Sequence, residues 1–430
     1  MELRDRLTRL GYFQGRAGTA TDEQATTRAA PARAPRPSYP DVCDLVAGRQ
    51  RGCPDGRCFV AETRYSLDHV HAGAALSDLL AQPSDVYALL TGDGRLAGLD
   101  PTRTVLLDCE TTGLAGGTGT YLFLIGLGYF ADGGFCVDQF FLRDPSEERA
   151  ALSVLSEVLG RFEAVITFNG KCFDWPLMET RHLYARVLLR PQLPLHLDLL
   201  FPARRLYKRR LGSCSLVDLE RGVLGLPPRR DDVPGGLIPQ LYFEYLRRRD
   251  GRTLVPVFEH NRADLLAMLA LAVRMARHVA EPHLADAERN GHEHALDLYC
   301  LGRLFEEAGQ LGTAVLCFER ALAGLPPAEC EEARGRIAGV YKRLRDTDRA
   351  AQLWRTLIDD GAGSIYPYVE LAKHLEHRTR ELGAAADLTR RALALHGAAR
   401  GYTPPGRYYE ERADLERRLA RLERKLARSA

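Results

Sequence analysis

Residues 104–114 read TVLLDCETTGL, and the other predicted elements are most easily placed relative to this stretch. The apolar run before Asp108 predicts a buried β-strand, and Glu110 follows Asp108 by two positions. Because side chains alternate between the two faces of a strand, both carboxylates are expected on the same face. This acidic pair is therefore a candidate for chemistry at the end of a buried strand.

The apolar pattern continues on the C-terminal side of this stretch. Residues 120–130 and 135–142 predict two more strands, separated by a turn signal at Asp132-Gly133-Gly134. Three strands joined by short turns predict an antiparallel meander, and the periodicity of residues 146–279 predicts an α/β fold with a mixed sheet flanked by helices. The later predicted elements are a helix over 146–160, strands over 164–169 and around 194–199, and helices over 173–185, 208–226, 236–248 and 257–279.

Two further motifs place acidic residues where predicted elements begin or end. AVITFNGKCFD (164–174) carries Asp174 after a predicted strand, and HNRAD (260–264) carries His260 and Asp264 four positions apart on a helix. Residues four apart in a helix project from the same side. The sequence thus offers four carboxylates and one histidine for a single site.

Four carboxylates brought together cannot all stay ionised without cations. Oxygen ligands with no thiolate favour Mg²⁺ or Mn²⁺, and two such ions can stabilise both the attacking and the leaving oxygen of a phosphodiester. The predicted metal ligands are Asp108, Glu110, Asp174 and Asp264. His260 is the predicted general base, because an imidazole can take a proton from the attacking water near neutral pH.

Each motif also has a purely structural interpretation. Asp108 could cap a turn before Thr111-Thr112-Gly113, and Asp174 could be the N-cap of a helix. HNRAD (260–264) could be a polar helix face. The functional interpretation depends on all three motifs occurring in this order, each at the edge of a predicted element.

These motifs resemble those of the DEDD 3′–5′ exonuclease superfamily, in its His-bearing, DnaQ-like branch. LLDCETTGL matches the Asp-x-Glu motif, ITFNGKCFDWP the second motif, and HNRAD the His-x-x-x-Asp motif. The resemblance implies an RNase H-like fold and two-metal hydrolysis from a 3′ end. More narrowly, the chain is similar to predicted bacterial RNase H-like exonucleases that carry LGSCSL…DDVPG before the third motif and tetratricopeptide repeats at the C-terminus. The loop over 113–119, GLAGGTG, is longer than the family pattern.

A basic stretch is the candidate nucleic-acid interface. RRLYKRR (204–210) contains five cations around one tyrosine and could hold a phosphate backbone while stacking a base. A solvated helix face is the alternative. Two residues near the second motif are candidates for positioning substrate. The full candidate set is Asn169, Phe173, Arg204, Arg205, Tyr207, Lys208, Arg209 and Arg210.

The C-terminal part of the chain predicts helical repeats. Residues from Leu301 to Pro326 fit the spacing of a tetratricopeptide repeat, and two further copies follow at steps of 36 and 34 residues. The alternative is ordinary helical packing. The predicted organisation is a flexible N-terminal segment (1–40), a small region of unknown role (41–100), an RNase H-like exonuclease domain (101–283), repeats (290–400) and a charged C-terminal helix (401–430).

Composition narrows the function classes. The 430 residues are 45% hydrophobic and 27% charged, which excludes a wholly disordered chain. The net charge of +2 means that any polyanion site must be a local patch. The apolar segments are too short for a membrane span, and the ten cysteines form no CxxC pair, so we expect a reduced cytoplasmic protein.

The sequence therefore predicts a metal-dependent nuclease acting on single-stranded DNA or RNA, with 3′–5′ exonucleolytic cleavage favoured. Endonucleolytic cleavage is one alternative. The other is a catalytically silent adaptor that binds nucleic acid or, through the repeats, a protein partner.

Overall fold

The computed structural model describes residues 39–113, 119–189, 195–230, 232–280, 294–398 and 405–429. The predicted flexible segment before Tyr39 and most of the glycine-rich loop over 113–119 lie outside these residues. Within them, a sheet region (39–280) precedes a helical region (294–429). The predicted fold class, a mixed sheet flanked by helices and followed by an all-helical part, is confirmed.

Seven strands form one sheet in the order β1-β2-β7-β6-β5-β8-β9. Strand β5 lies next to β6 in antiparallel pairing and next to β8 in parallel pairing, so the predicted meander of β5, β6 and β7 is confirmed. The strands are β1 (Gly48–Cys53), β2 (Gly56–Ser66), β3 (Val70–His71), β4 (Ala74–Ala75), β5 (Thr104–Thr111), β6 (Leu122–Ala131), β7 (Gly134–Phe141), β8 (Ala164–Thr167) and β9 (Leu195–Asp198). The small hairpin β3–β4 is separate.

Fifteen α-helices occur in the described residues. They are α1 (Val42–Leu45), α2 (Asp85–Thr91), α3 (Glu148–Leu159), α4 (Asp174–Ala185), α5 (Leu200–Leu211), α6 (Leu216–Gly222), α7 (Ile238–Arg248), α8 (Val255–Ala280), α9 (Ala295–Glu307), α10 (Leu311–Ala321), α11 (Pro327–Arg343), α12 (Thr347–Asp359), α13 (Tyr366–His374), α14 (Leu382–Ala398) and α15 (Pro405–Ser429). Helix α13 continues into a π-helical turn, Leu375–Thr379.

Residues 41–100, whose role the sequence leaves open, contribute to the main sheet. Strand β2 pairs with β7 from Phe59↔Phe141 to Ser66↔Gly134, and β1 pairs with β2. These strands extend the sheet beyond the meander. The contribution of this region is therefore structural.

The two faces of the sheet support two hydrophobic cores. On β5, Leu106 belongs to the core with the C-terminal half of α8, whereas Val105 and Leu107 belong to the core with α3 and α7. This alternation is the period-2 pattern of a strand buried on both faces. Because Asp108 and Glu110 continue the register of Leu106, they face the side of the sheet that α8 covers.

The predicted helix over 208–226 is two helices. Helix α5 ends at Leu211, and α6 begins at Leu216. Gly212 between them has a φ of 72°, a left-handed conformation that glycine adopts without strain. The break turns the LGSCSL segment into a loop beside the candidate site.

The helical region consists of helices that pair with their neighbours along the chain. In the first pair Gly302 on α9 lies against Phe318 on α10, and a Cβ at Gly302 would be 2.7 Å from the Phe318 ring. The small residue thus permits close helix approach. None of the helices that the structure describes has the length and apolar character needed to cross a membrane. All ten cysteines are described, and none is in a disulfide.

Candidate active site

The first two carboxylates project from β5 toward α8. Asp108 pairs in register with Gly126 on β6, and Gly126 pairs with Gln139 on β7. Asn261 of α8 lies across these three strands and is fully buried. Its Nδ2 donates to Asp108 Oδ2 at 2.7 Å, and its Oδ1 accepts from Gln139 Nε2 at 2.8 Å. This network fixes the Asp108 carboxylate.

Gly126 makes this arrangement possible. A Cβ at Gly126 would lie 2.3 Å from Asn261 Oδ1, much closer than any real contact. A side chain there would push α8 away from the sheet. Gly126 thus lets α8 lie close to the sheet. Because α8 also carries His260 and Asp264, this close approach determines how near these two side chains lie to β5.

His260 connects the helix to the strand. Its Nε2 lies 3.5 Å from Asp264 Oδ2 and 3.9 Å from Glu110 Oε1. On the other side of the ring, Nδ1 lies 2.7 Å from Asp232 Oδ1. If Nδ1 carries the proton and donates it to Asp232, Nε2 is left as an acceptor facing the carboxylates.

Asp174 is the first residue of α4, at the end of the turn that follows β8. Within that turn Asn169 has a left-handed φ of 64°. Asp198, from the end of β9, accepts hydrogen bonds from the backbone N–H groups of Asn169 and Lys171 at 2.8 and 3.0 Å. Asp198 therefore stabilises the turn. His196, also on β9, is hydrogen-bonded through Nε2 to Thr167 Oγ1 at 2.8 Å.

The electrostatics show that the four carboxylates are near one another. Burial, followed by the charges of Asp264 and Asp174, raises the pKa of Asp108 well above its usual range. Burial and the charges of Asp108, Asp264 and Asp174 do the same for the pKa of Glu110. Burial and Asp198 raise the pKa of Asp174 to about 7. The charges of Asp174 and Asp264 thus destabilise the ionised forms of Asp108 and Glu110.

One cation already lies in this site. Arg229 Nη2 donates to Asp264 Oδ1 at 2.6 Å, and the same guanidinium is paired with Glu220. Its Nη1 also approaches the backbone oxygen of His260 at 3.4 Å. Arg229 therefore ties the loop before α7 to the functional face of α8.

The donor chemistry of the site fits a divalent cation. All four acidic side chains offer hard oxygen ligands, and their mutual repulsion would be relieved by a bound ion. Among the described residues, however, no three His, Cys, Asp or Glu side chains form a ready-made metal site. The Arg229–Asp264 ion pair occupies one of the ligands, so a cation binding there must compete with the guanidinium.

A cavity of about 620 Å³ opens beside Asp108 and Asp264. Two of the predicted nucleic-acid-binding residues on α5, Arg204 and Lys208, line it together with Asn169. The loop after α5 forms another wall. Phe173, also predicted to position substrate, is half-buried at the start of α4.

The other basic residues of α5 bond to groups of the protein itself, although the side chains of Arg205 and Arg209 each remain 35% exposed. Arg205 donates to Leu90 O and Glu307, Arg209 to Glu332, and Arg210 to Asp297 and Gly222 O. Tyr207 is fully buried, with its hydroxyl 3.0 Å from His278 Nδ1. A buried tyrosine cannot stack a base, and these three arginines attach the sheet region to the helical region.

Sequence reasoning did not identify Asn261, Asp232, Arg229 or Glu220. Asn261 is adjacent to His260 in the third motif, and Asp232 belongs to the DDVPG segment quoted with the resemblance. Both residues stand in or beside motifs that the sequence analysis uses. The residues that they contact are distant in sequence, so no local pattern indicates their roles. For Arg229 and Glu220 the sequence carries no local signal.

Comparison with known proteins assigns a superfamily to most of the sheet region. Residues 105–276 match the sequence profile of the RNase H superfamily, whose members usually hydrolyse phosphodiester bonds and generally use divalent metals. The matched range runs from β5 into the last turns of α8 and contains all four carboxylates and His260. Residues 105–276 therefore form a domain of the RNase H superfamily.

The alignment with one relative is longer than the range that the profile matches. The chain is 31% identical over 350 residues to the uncharacterized protein YprB of Bacillus subtilis (strain 168). The alignment covers 79% of this chain and 81% of YprB. The two chains are therefore members of one family.

Proposed function

We propose that the protein is a metal-dependent nuclease that hydrolyses phosphodiester bonds of single-stranded DNA or RNA, releasing nucleotides from the 3′ end. One observation supports this proposal above the others: His260 Nε2 lies within 4 Å of both Glu110 and Asp264, and Asp264 lines one cavity with Asp108. The charge of Asp174 also contributes to the raised pKa values of Asp108 and Glu110. The resemblance of the three sequence motifs to those of the His-bearing DEDD exonucleases supports the proposed 3′–5′ direction.

Asp108, Glu110, Asp174 and Asp264 would hold two Mg²⁺ or Mn²⁺ ions. Bound there, such ions supply charge stabilisation for the attacking and leaving oxygens. His260 Nε2 would take the proton of the attacking water, while Asp232 holds Nδ1 and stabilises the imidazolium that results. Asn261 keeps the Asp108 carboxylate in position throughout.

Arg204 and Lys208 remain in the proposed nucleic-acid interface, with Asn169 and Phe173 near the cleaved nucleotide. Tyr207 is left out of it because its side chain is buried, and Arg205, Arg209 and Arg210 are left out because each is paired with a carboxylate of the helical region. The interface is thus a short cationic wall beside the carboxylates.

The experiment is digestion of end-labelled single-stranded DNA and RNA with Mg²⁺ or Mn²⁺. We expect a ladder that shortens from the 3′ end, abolished by Asp108→Asn. The matched control is Asp132→Asn, an exposed turn residue whose φ of 51° asparagine also tolerates. Circular single strands distinguish an exonuclease from an endonuclease. Metal-dependent cleavage by Asp108→Asn equal to that of the wild type would refute the site.

We also propose that the helices over 295–398 are three tetratricopeptide-like repeats. The equivalent small positions Ala314, Ala350 and Ala385 are all fully buried at steps of 36 and 35 residues. A surface of this kind binds other chains. A second function, that of a non-catalytic adaptor, is favoured by one observation, the Arg229 guanidinium on Asp264. Metal binding without cleavage of any nucleic acid would support the adaptor.

A further inference from the structure

The cavity beside the carboxylates has two unlike walls. One wall carries Asp108 and Asp264, and the other carries Arg204 and Lys208. Phe168 and Leu200 contribute apolar surface between them. Its volume of about 620 Å³ falls within the range of roughly 300–1,000 Å³ that small-molecule ligands occupy. The cationic wall therefore suits an anionic group, and a second anionic group fits the acidic wall only through the metal ions of the proposed nuclease.

The cationic side chains of α5 form two groups, those that pair with a carboxylate and those that do not. Arg205, Arg209 and Arg210 each donate to a carboxylate of the helical region. Arg204 and Lys208 are exposed, and their side chains make no hydrogen bond or ion pair with any residue that the structure describes. They are one helical turn apart and line the same cavity, so both can reach one anionic group.

The loop that closes the cavity does not supply competing donors. The hydroxyls of Ser213 and Ser215 both donate to Asp218 Oδ2 at 2.5 Å. These hydrogen bonds stabilise the start of α6 and lower the pKa of Asp218. Since both serine hydroxyls donate to Asp218, the cationic groups of Arg204 and Lys208 are the charged donors that the described residues offer on this wall.

We propose that Arg204 and Lys208 bind a second phosphate, one nucleotide away from the phosphate that is cleaved. The nucleoside between the two phosphates occupies the cavity, with its base or sugar on the apolar surface. The favoured ligand class is therefore a nucleoside with phosphate on both its 3′ and its 5′ oxygen, alone or within a strand. This inference rests on the proposed nuclease function, because that function places the cleaved phosphate at the carboxylates.

The first test measures binding of adenosine 3′,5′-bisphosphate, 3′-monophosphate and 5′-monophosphate by calorimetry with Mn²⁺ present. Charge-assisted contacts predict that the wild type binds the bisphosphate about tenfold more tightly than either monophosphate. Arg204→Met with Lys208→Met should remove that preference. The matched control is Arg247→Met, an exposed arginine on α7. Equal affinity of the wild type for the three ligands, or an unchanged preference in the double variant, would overturn the inference.

The second phosphate can come from a phosphorylated 3′ end or from the next phosphodiester of the strand. Strands ending in a 3′-phosphate and in a 3′-hydroxyl separate these sources. A lower KM for the 3′-phosphate, lost in the double variant, identifies the terminal phosphate. Equal KM values that both rise in the double variant identify the internal phosphodiester. KM values that the double variant leaves unchanged for both strands contradict the inference.

The two proposals fail in different ways. Cleavage of strands without any bisphosphate preference leaves the nuclease intact and removes the phosphate site. A bisphosphate preference without cleavage of any strand leaves the phosphate site intact and removes the nuclease. The double variant changes only exposed side chains, so an unaltered melting temperature is expected.

Discussion

Two recessed acidic centres, one in each region of the protein, differ in what surrounds them. In the sheet region Asp108 and Glu110 face other carboxylates, and their pKa values are raised. In the helical region the fully buried side chain of Glu376 accepts hydrogen bonds from Arg418, Arg421 and Lys425. Burial acts to raise the pKa of Glu376, but these bonds outweigh it and lower the pKa to about 2.

The charges around the two centres indicate a structural role for the centre at Glu376 and a functional role for the centre at Asp108 and Glu110. The charge of Glu376 is neutralised by side chains of α15, so this centre joins the π-helical turn to the C-terminal helix. The carboxylates of the sheet region have too few internal cations, with Arg229 on Asp264 as the partner found there. A centre that folding leaves undercompensated is suited to binding cations from solution.

The largest effect is expected for the histidine beside the sheet-region centre. His260→Gln should lower kcat by roughly 10²–10⁴-fold, because the proton acceptor is lost. Asp232→Asn should lower it by about 10–100-fold, because the ring is then less well held. The matched control is His377→Gln, an exposed histidine 3.6 Å from Glu376. If His377→Gln reduced kcat as much as His260→Gln, the functional contrast between the two centres would be wrong.

Glu376→Gln tests the helical-region centre. We expect a loss of about 2 kcal/mol in the free energy of unfolding, since three cations lose their partner. The folded pKa of about 2 lies below the unfolded value, so this stabilisation is present above pH ~4.5 and disappears as the pH falls toward 2. Urea unfolding at several pH values measures it, with Glu410→Gln on the exposed side of α15 as control. A difference that did not shrink at low pH would contradict the ionic explanation.

Arg229→Met tests the effect of the cation in the sheet-region centre by removing it. Because the guanidinium competes with a metal at Asp264, the variant should bind Mn²⁺ about tenfold more tightly, or ~1.4 kcal/mol. Glu220→Gln should act in the opposite direction, since it leaves Arg229 with Asp264 alone. Mn²⁺ titration followed by electron paramagnetic resonance reports both changes. Identical Mn²⁺ affinities in all three proteins would show that the ion pair does not compete.

The smallest expected effect concerns stability without metal. Asp108→Asn should stabilise the chelator-treated protein by about 1 kcal/mol, because it removes one of several repelling charges while keeping an oxygen for Asn261. This sign is opposite to that for Glu376→Gln. Asp132→Asn should change stability by less than about 0.5 kcal/mol. Destabilisation by Asp108→Asn in chelator would mean that the carboxylates do not strain the fold.

The sequence predicts those parts of the site that local patterns encode. The apolar run before Asp108 and the i, i+4 pair His260 and Asp264 indicate their elements from a few neighbouring residues. Asn261 could not be assigned, because its partners are brought to it by the pairing of β5, β6 and β7. Likewise the basic stretch on α5 predicts a charged surface, but the packing of α9 and α11 determines which of its arginines are paired with carboxylates.

The arrangement of α5 also affects how fragments of this protein should be interpreted. A fragment ending before α9 would lose the carboxylates that neutralise Arg205, Arg209 and Arg210, and would present three additional cations next to Arg204 and Lys208. Such a fragment would attract any polyanion more strongly than the intact chain does. Tighter nucleic-acid binding by the isolated sheet region would then measure newly exposed charge rather than the affinity of the native site.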